Sequence, residues 1–510
     1  MSEQASKMWS GRFREPLNTR FEEWQRSFPF DHRLLPQEIA ASKAHAKTIA
    51  VAGILTESEL VTMLDGLDQI IEAVKDESAI HNVMGLSQFM MRNATTEEPY
   101  EGIGVFEPTD ENVVVSRGSL TAVKLYVDAE DIHHFTELQL TNLIGPLALK
   151  LHTGRSRNEQ IATDMRLFVR DAIDVTVGGL RAWALALVEL AEQAGEAVMP
   201  SYTHLQRAEP VLIAHWLLAY VSMIERDIAR LADARERMNF CPLGSGAIAG
   251  ATLALDRTIA ARLLGFDGPT LNSMDATSDR DFALEFTQAL SVLGLHISRF
   301  AEELTLHATA EFGFLDLPEA FSTGSSAMPQ KKNPDLTELI RGKSGRLFGA
   351  SATLTLLIKG LPLAYNKDLQ EGQEPVFDAA DTIAGILSVL PAFTASLKFR
   401  EDKLKQAAET GYLNAMAAAT YLSNKGVPFR KAHEQIGNAV RFGLETGREL
   451  QALTLEELKA FGDQFAEDFY AAITVEATLD CHDVIGGTAR HRVKLALADT
   501  RQRIAANGAG

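Results

Sequence analysis

Apolar residues recur at steps of three and four from Glu159 to about Met238 and again from Asp281 to His307. That spacing lines them up on one face of a helix. In the second stretch Phe286, Leu290, Leu293, Ile297, Phe300 and Leu304 form a heptad-like seam, leaving Arg299, Glu302 and Glu303 for other faces. Trp216, Tyr220, Ile224, Ile228 and Leu231 make a second stripe, backed by Glu225, Arg226, Asp227 and Arg230. Both predict long helices that bury their seams against other helices. Pro200, Pro210, Pro242, Pro318, Pro329, Pro334 and Pro362 interrupt the pattern and mark loops between helices. No strand-helix alternation appears, so the expected fold class is all-α, a helical bundle. The stretch of about 76–121 differs: it is rich in Gly, Glu and Asn, with Val113, Val114 and Val115 as a strand. It reads as an insertion with a small hairpin.

At 510 residues the chain exceeds the size of a single core, so several substructures sharing long elements are expected. No apolar run suggests a membrane span, and Met1 to Lys7 lacks the basic-then-apolar pattern of an export signal. The expectation is therefore a cytoplasmic chain with no membrane. The two cysteines, Cys241 and Cys481, have no metal-ligand or redox spacing and read as reduced thiols. A formal charge of -19 changes the picture more. Its long-range field repels polyanions, which argues against nucleic acid, and any anionic substrate must meet a local cationic pocket.

Three short segments gather such cations. Gly324-Ser325-Ser326-Ala327-Met328-Pro329-Gln330-Lys331-Lys332-Asn333-Pro334 is a glycine-serine turn running into a basic, proline-bounded stretch. Composition alone leaves a solvated loop open. Leu151-His152-Thr153-Gly154-Arg155-Ser156-Arg157-Asn158-Glu159-Gln160 opens a long helix with two arginines, where unpaired N–H groups and the helix dipole favour a carboxylate; a capped, solvated helix start is the alternative. Ser201-Tyr202-Thr203-His204-Leu205-Gln206-Arg207-Ala208-Glu209-Pro210 lies between two helical patterns, where a histidine can reach a cleft, although a lone histidine is more often a surface or core residue.

The first string resembles the signature loop of the fumarase/aspartase superfamily, the third its histidine segment, and the second is similar to argininosuccinate lyases within it. Met8-Trp9-Ser10-Gly11-Arg12-Phe13, Asp275 to Phe282, Tyr365-Asn366-Lys367-Asp368-Leu369-Gln370-Glu371 and Gly486-Gly487-Thr488-Ala489 spread the resemblance over nearly the whole chain. It implies three helical domains, at 1–156, 157–405 and 406–510, and a homotetramer whose sites are shared between subunits. It also implies β-elimination of argininosuccinate to arginine and fumarate, with no metal and no organic cofactor.

Removing a proton beside a carboxylate leaves two negative charges on that group, and preorganised donors and cations must stabilise them. The resemblance gives this task to Lys331 and Asn333. Ser325 and His204 form the proton-transferring pair, with either order of base and acid open, and Glu338 orients the imidazole. Ser27, Asn158, Thr203, Tyr365 and Gln370 are implied to position substrate, with Arg157, Arg280 and Lys367 as carboxylate partners. Asp131 and His133 are secondary candidates, with an exposed helix face as the alternative. Where the family pattern ends in a lysine that touches substrate this chain has Gln373, a further secondary candidate. Rival readings are another fumarate-releasing lyase such as an adenylosuccinate lyase, against which the segment from His152 to Gln160 speaks, and an inactive structural protein of the delta-crystallin type.

Overall fold

Long helices carry most of the chain in the computed structural model, which describes residues 17–74, 113–116, 123–126 and 129–506. The principal elements are α1 (Leu35–Val51), α2 (Glu57–Val74), a hairpin of β1 (Val113–Ser116) and β2 (Val123–Tyr126), α3 (Ile132–Ile144) and α4 (Arg157–Ala194). There follow β3 (Val198–Thr203), β4 (Gln206–Leu212), α5 (Ile213–Met238), α6 (Asp281–Ala308), and the two-residue strands β5 (Thr323–Gly324) and β6 (Lys332–Asn333). The chain closes with α7 (Asp335–Ile358), α8 (Gln373–Ala395), α9 (Ala415–Asn424), α10 (Phe429–Thr446) and α11 (Arg490–Ala506). Among the described residues every sheet is a two-stranded pair, so the fold is all-α as expected. Val113 to Val115 do form a strand, pairing antiparallel with Lys124 to Tyr126. The rest of the expected insertion, and Met8 to Phe13, lie outside the described residues.

The chain divides into two compact units, one of Met1–Ala172, Ala234–Glu285 and Ala352–Phe377, the other of Ile173–Asp233, Phe286–Ser351 and Asp378–Gly510. In the first, small residues Ala41 and Ala44 of α1 pack with Leu167, Leu243, Ala260 and Phe266. The same helix also buries Glu38, Ser42, His45 and Thr48, a polar stripe that needs internal partners. Asp131 caps α3 by accepting from the His134 N–H at 2.7 Å. Ser156 and Glu159 begin α4, the Glu159 carboxylate accepting from the Ser156 N–H at 2.9 Å. Trp24 ends a short helix (Thr19–Trp24) and is 81% exposed.

In the second unit the predicted seam from Phe286 to Leu304 is fully buried. Trp183 sits in this core, its ring centroid 5.4 Å from that of Phe300 and its indole N–H donating to the Thr394 hydroxyl at 3.1 Å. A Cβ at Gly179 would come within 2.9 Å of the Leu387 side chain, so α4 and α8 approach closely there. A separate cluster around Leu422, Ile436, Phe465 and Phe469 forms the core of the C-terminal helices.

Three details depart from the sequence pattern. The segment between Pro200 and Pro210 is a β-hairpin rather than a loop: the two prolines face each other across a two-stranded ribbon whose outer edges need no partner, and a bulge follows Pro200. Asp227, assigned to the polar back of α5, is buried, held by the His296 Nδ1 at 2.7 Å and by Arg230 at 2.8 Å. Lys367–Ala395 reaches the length and hydropathy of a membrane-crossing helix, but half of its most apolar stretch is buried within the folded chain, as in a core helix.

Truncating the seam tests this packing. Leu293→Ala should cost roughly 3 kcal/mol of unfolding free energy, read as a lower urea midpoint at unchanged m-value.

Candidate active site

The first unit gathers most of the expected substrate-positioning residues by tying three segments together. The N–H groups of Ser27 and Phe28 both donate to the Glu130 carbonyl, at 3.0 and 3.1 Å. Asp31 accepts from the Ser27 hydroxyl at 2.6 Å with one oxygen and from the Ile132 N–H at 3.0 Å with the other. Gln370, buried, donates to the Gln25 carbonyl at 3.1 Å, and the Lys367 ammonium lies 3.9 Å from Glu130. Ser27, Asp131, Lys367 and Gln370 are thereby fixed on one framework. Asp131 pairs with Arg157, which also lies 3.8 Å from Glu137, so Arg157 is already engaged by two carboxylates of its own unit. Asn158, one residue on, donates to the Ala247 carbonyl at 3.1 Å.

Beneath this framework lies a buried charge network. His133 Nδ1 meets Glu38 at 2.7 Å, Ser42 donates to the other Glu38 oxygen at 2.7 Å, and Arg155 donates to Ser42 at 2.8 Å. Burial works against the Glu38 charge, but His133, Arg155 and Ser42 together hold its pKa down to about 2. Burial likewise opposes the His133 proton, and Glu38 outweighs it, raising the imidazole above its ordinary value. Asp164, 3.7 Å from His133, is pushed well above the carboxylate range by burial and then by the Glu38 charge. Glu38, His133 and Asp164 are the one group of potential metal donors among the described residues, their atoms within 4.8 Å of one another. The His133–Glu38 pair with Arg155 already balances most of its charge. His133 is 3% exposed and so belongs to this network rather than to an open helix face. Asp31 is raised to about 7, first by burial and then by the Asp131 charge.

Arg280, Tyr365 and Gln373 line a small cavity with Ile161 and Met165 of α4. Burial lowers Arg280 to about 10, which leaves it charged at neutral pH, and raises Tyr365. Ala364, just before Tyr365, has φ +67, a strained backbone for a residue with a Cβ.

The second unit carries the expected proton-transfer residues. Thr203 pairs with Gln206, so His204 and Leu205 form a two-residue turn with φ +55 and +57. Both positions of such a turn ordinarily take Asn or Gly. Two residues with Cβ atoms in left-handed backbone store strain, and strain of this kind collects at functional sites. His204 is exposed at the tip.

The Ser325 loop is closed by a two-rung ladder, Thr323 with Asn333 and Gly324 with Lys332. The Ser325 hydroxyl oxygen accepts from two backbone N–H groups, Ala327 at 3.3 Å and Met328 at 3.1 Å. The two adjacent lysines are both exposed, and Lys332 donates to the Leu317 carbonyl at 2.7 Å. Asn333 donates to the Thr323 hydroxyl at 3.4 Å. Glu338, on the first turn of α7, lies 3.9 Å from Arg341. Among the described residues no hydrogen bond or ion pair joins His204 to Ser325 or Glu338 within the chain.

Sequence reasoning missed Asp31, Glu38 and Asp164. The spacing of Glu38, Ser42 and His45 on one face of α1, in step with Ile39 and Ile49, was the available signal of a buried polar stripe.

Comparison with known proteins points one way. A lyase family model matches residues 109–349, and a model described as argininosuccinate lyase C-terminal matches residues 412–480. The chain is 56% identical over 497 residues to an argininosuccinate lyase of Acidobacterium capsulatum, covering 98% of this chain and 94% of that one. It is 51% identical over 502 residues to an argininosuccinate lyase of Koribacter versatilis, covering 98% of each. Among solved structures, an EDDS lyase in complex with formate superposes with a TM-score of 0.75 at 22% identity, covering 96% of this chain and 90% of that one. A fumarate lyase from Mesorhizobium sp. BNC1 gives 0.66 at 17%, covering 95% and 100%. At these identities the structures show a shared fold.

Two measurements follow from the geometry. Asp31 holds its proton more tightly in the folded chain than its ordinary value of 3.8, so its stabilising contribution is complete below that value and is lost as pH rises through about 7. Between about pH 4 and about pH 8 the wild type should therefore lose unfolding free energy relative to Asp31→Asn in paired urea titrations. Leu205→Gly should relieve the left-handed strain and raise stability by about 1 kcal/mol, seen as a higher melting temperature.

Proposed function

The chain belongs to the argininosuccinate lyase family, and we propose on that premise that it cleaves argininosuccinate into arginine and fumarate, with Ser325 and His204 as the proton-transferring pair. The observation that carries the assignment of the pair is the Ser325 hydroxyl, whose oxygen faces two backbone N–H groups on a loop that also bears Lys331 and Asn333. A serine is a poor base until something favours its anion, and hydrogen bonds to the charged form lower a pKa. The exposed Lys331 ammonium adds a second favourable charge.

The reaction is an elimination. Ser325 removes the proton from Cβ of the succinyl group, and the electron pair moves into the adjacent carboxylate, which becomes a doubly charged aci-carboxylate. Lys331 and Asn333 stabilise that charge. The pair then returns to form the carbon-carbon double bond of fumarate as the C–N bond breaks, and His204 delivers a proton to the departing guanidino nitrogen. Glu338 orients and charges the imidazole. No metal and no organic cofactor enters this reading, because charged side chains supply the electrophilic work.

Substrate is positioned by Ser27, Asn158, Thr203, Tyr365 and Gln370. Arg280 and Lys367 pair with its carboxylates, since a guanidinium fork matches two oxygens. The pairing of Arg157 with Asp131 favours a role in aligning that carboxylate as well.

His204 has no hydrogen-bonded partner in Ser325 or Glu338 within the described chain, which supports a site completed by residues of neighbouring copies. Val175, Leu295, Leu339 and Phe348 lie 59–68% exposed on long helices of the second unit, and apolar faces of this kind support association into a homotetramer. An acidic chain with two unpaired cysteines supports a reducing, cytoplasmic setting and no nucleic-acid partner.

Fumarate release, followed by ultraviolet absorbance with argininosuccinate and adenylosuccinate supplied separately, tests the substrate. Fumarate from adenylosuccinate alone would overturn the assignment. Lys331→Met should lower kcat about a hundredfold to a thousandfold with a smaller change in KM. His204→Asn keeps a residue that tolerates the left-handed turn and removes the imidazole, so it should fold normally and lose turnover.

A further inference from the structure

The exposed turn at His204 must be held from outside. His204 and Leu205 both stand in left-handed backbone at the tip of the β3–β4 hairpin, and such backbone persists only where its surroundings over-determine it. The strands on either side supply the ties. Tyr202, two residues before His204, sets its ring beside Phe312 and His307, at 5.6 and 6.4 Å between centroids. Opposite Tyr202 in the ribbon stands Arg207, three residues after His204. Its Nη1 donates to the Ala407 carbonyl at 3.2 Å and to the Thr410 hydroxyl oxygen at 3.3 Å, at the C-terminal end of the helix Glu401–Glu409.

That helix end needs a donor. The Gly411 N–H, which another helical turn would give to the Ala407 carbonyl, goes instead to the Glu449 carboxylate at 2.9 Å. A guanidinium answers the carbonyl with a hydrogen bond and brings a charge that suits the negative pole of the helix. Thr410 is itself fixed, its hydroxyl donating to the Gln406 carbonyl at 3.0 Å, so its oxygen lone pairs remain to accept from Arg207.

We propose that Arg207 is a positioning residue for His204: by gripping the end of the helix Glu401–Glu409 through Ala407 and Thr410, it holds the hairpin tip where the imidazole meets substrate. The inference rests on the cleavage reading above. Ring packing at Tyr202 is non-directional, so the direction of the tip is set by the two hydrogen bonds on the other strand.

The test uses the full-length protein. Arg207→Met keeps much of the side chain's length and removes both hydrogen bonds; because the residue is exposed, the melting temperature should change little. For argininosuccinate, kcat should fall about tenfold to a hundredfold, as expected for a reacting group displaced by about 1 Å, with KM changed much less. Succinate, used in calorimetry as a dicarboxylate probe, should bind with unchanged stoichiometry, which separates a misplaced imidazole from a loss of folded sites. Arg207→Lys can still donate to one acceptor of the helix end and should recover part of the rate. Thr410→Val removes one of the two contacts and should lower kcat less than Arg207→Met. In the His204→Asn background Arg207→Met should add little to the loss, because a group acting through the imidazole loses its influence with it. Amide hydrogen exchange across residues 202–207, followed by mass spectrometry, should quicken in Arg207→Met and needs no turnover. A wild type that releases no fumarate would sink the cleavage reading while the exchange measurement still judges the anchor. Unchanged kcat, a raised KM at unchanged kcat, an equal further loss in the His204→Asn background, or unchanged exchange at the hairpin would each overturn the proposal.

Discussion

Charge taken out of water must be answered inside the protein, and the first unit is organised around that requirement. Glu38, Asp31, Asp131 and Asp164 are all screened from solvent, and His133, Arg155 and Arg157 are set among them. None of these groups could be buried alone. Because each answers another, the segment around Ser27, the cap of α3 at Asp131 and the start of α4 at Arg157 are locked to common partners, and the surface above them inherits that rigidity. Small residues on α1 allow the close approach that makes the network possible.

The second unit solves a different problem. The residues proposed for proton transfer, Ser325 and His204, lie in turns closed by short pieces of strand, and each piece is held by few but directional contacts. A ladder of two rungs shapes the Ser325 loop; a single bulge and an opposed pair of prolines shape the His204 hairpin. Lys332 closes onto the Leu317 carbonyl, while a hydrogen bond from Thr323, helped by the charge of the neighbouring Lys331, holds the Asp335 carboxyl down.

The helices were legible because burial of a seam repeats at the period of the helix: each of the six residues from Phe286 to Leu304 named from the pattern is buried. The hairpin at Pro200 was not, since proline reads as a breaker whether the chain goes on to a loop or to an edge ribbon, and only pairing tells them apart. The motif residues of both units were named through resemblance alone. Asp31 and Asp164 were not legible, because a carboxylate whose pKa is raised by burial looks in sequence like any solvated acid. Asp227 failed for the related reason that its partner His296 lies on a different helix, invisible to a reading confined to α5.

The contrast between Trp183 and Trp24 has a use of its own. One indole is sealed beside Phe300 in the second unit; the other stands three residues before Ser27, almost fully in water. Two such fluorophores emit at different wavelengths and differ in their access to acrylamide. Once Trp9 and Trp216, the chain's other two tryptophans, are replaced by phenylalanine, the protein carries a built-in optical pair, one reporting the integrity of its helical core and the other the surroundings of the segment around Ser27, with no label attached.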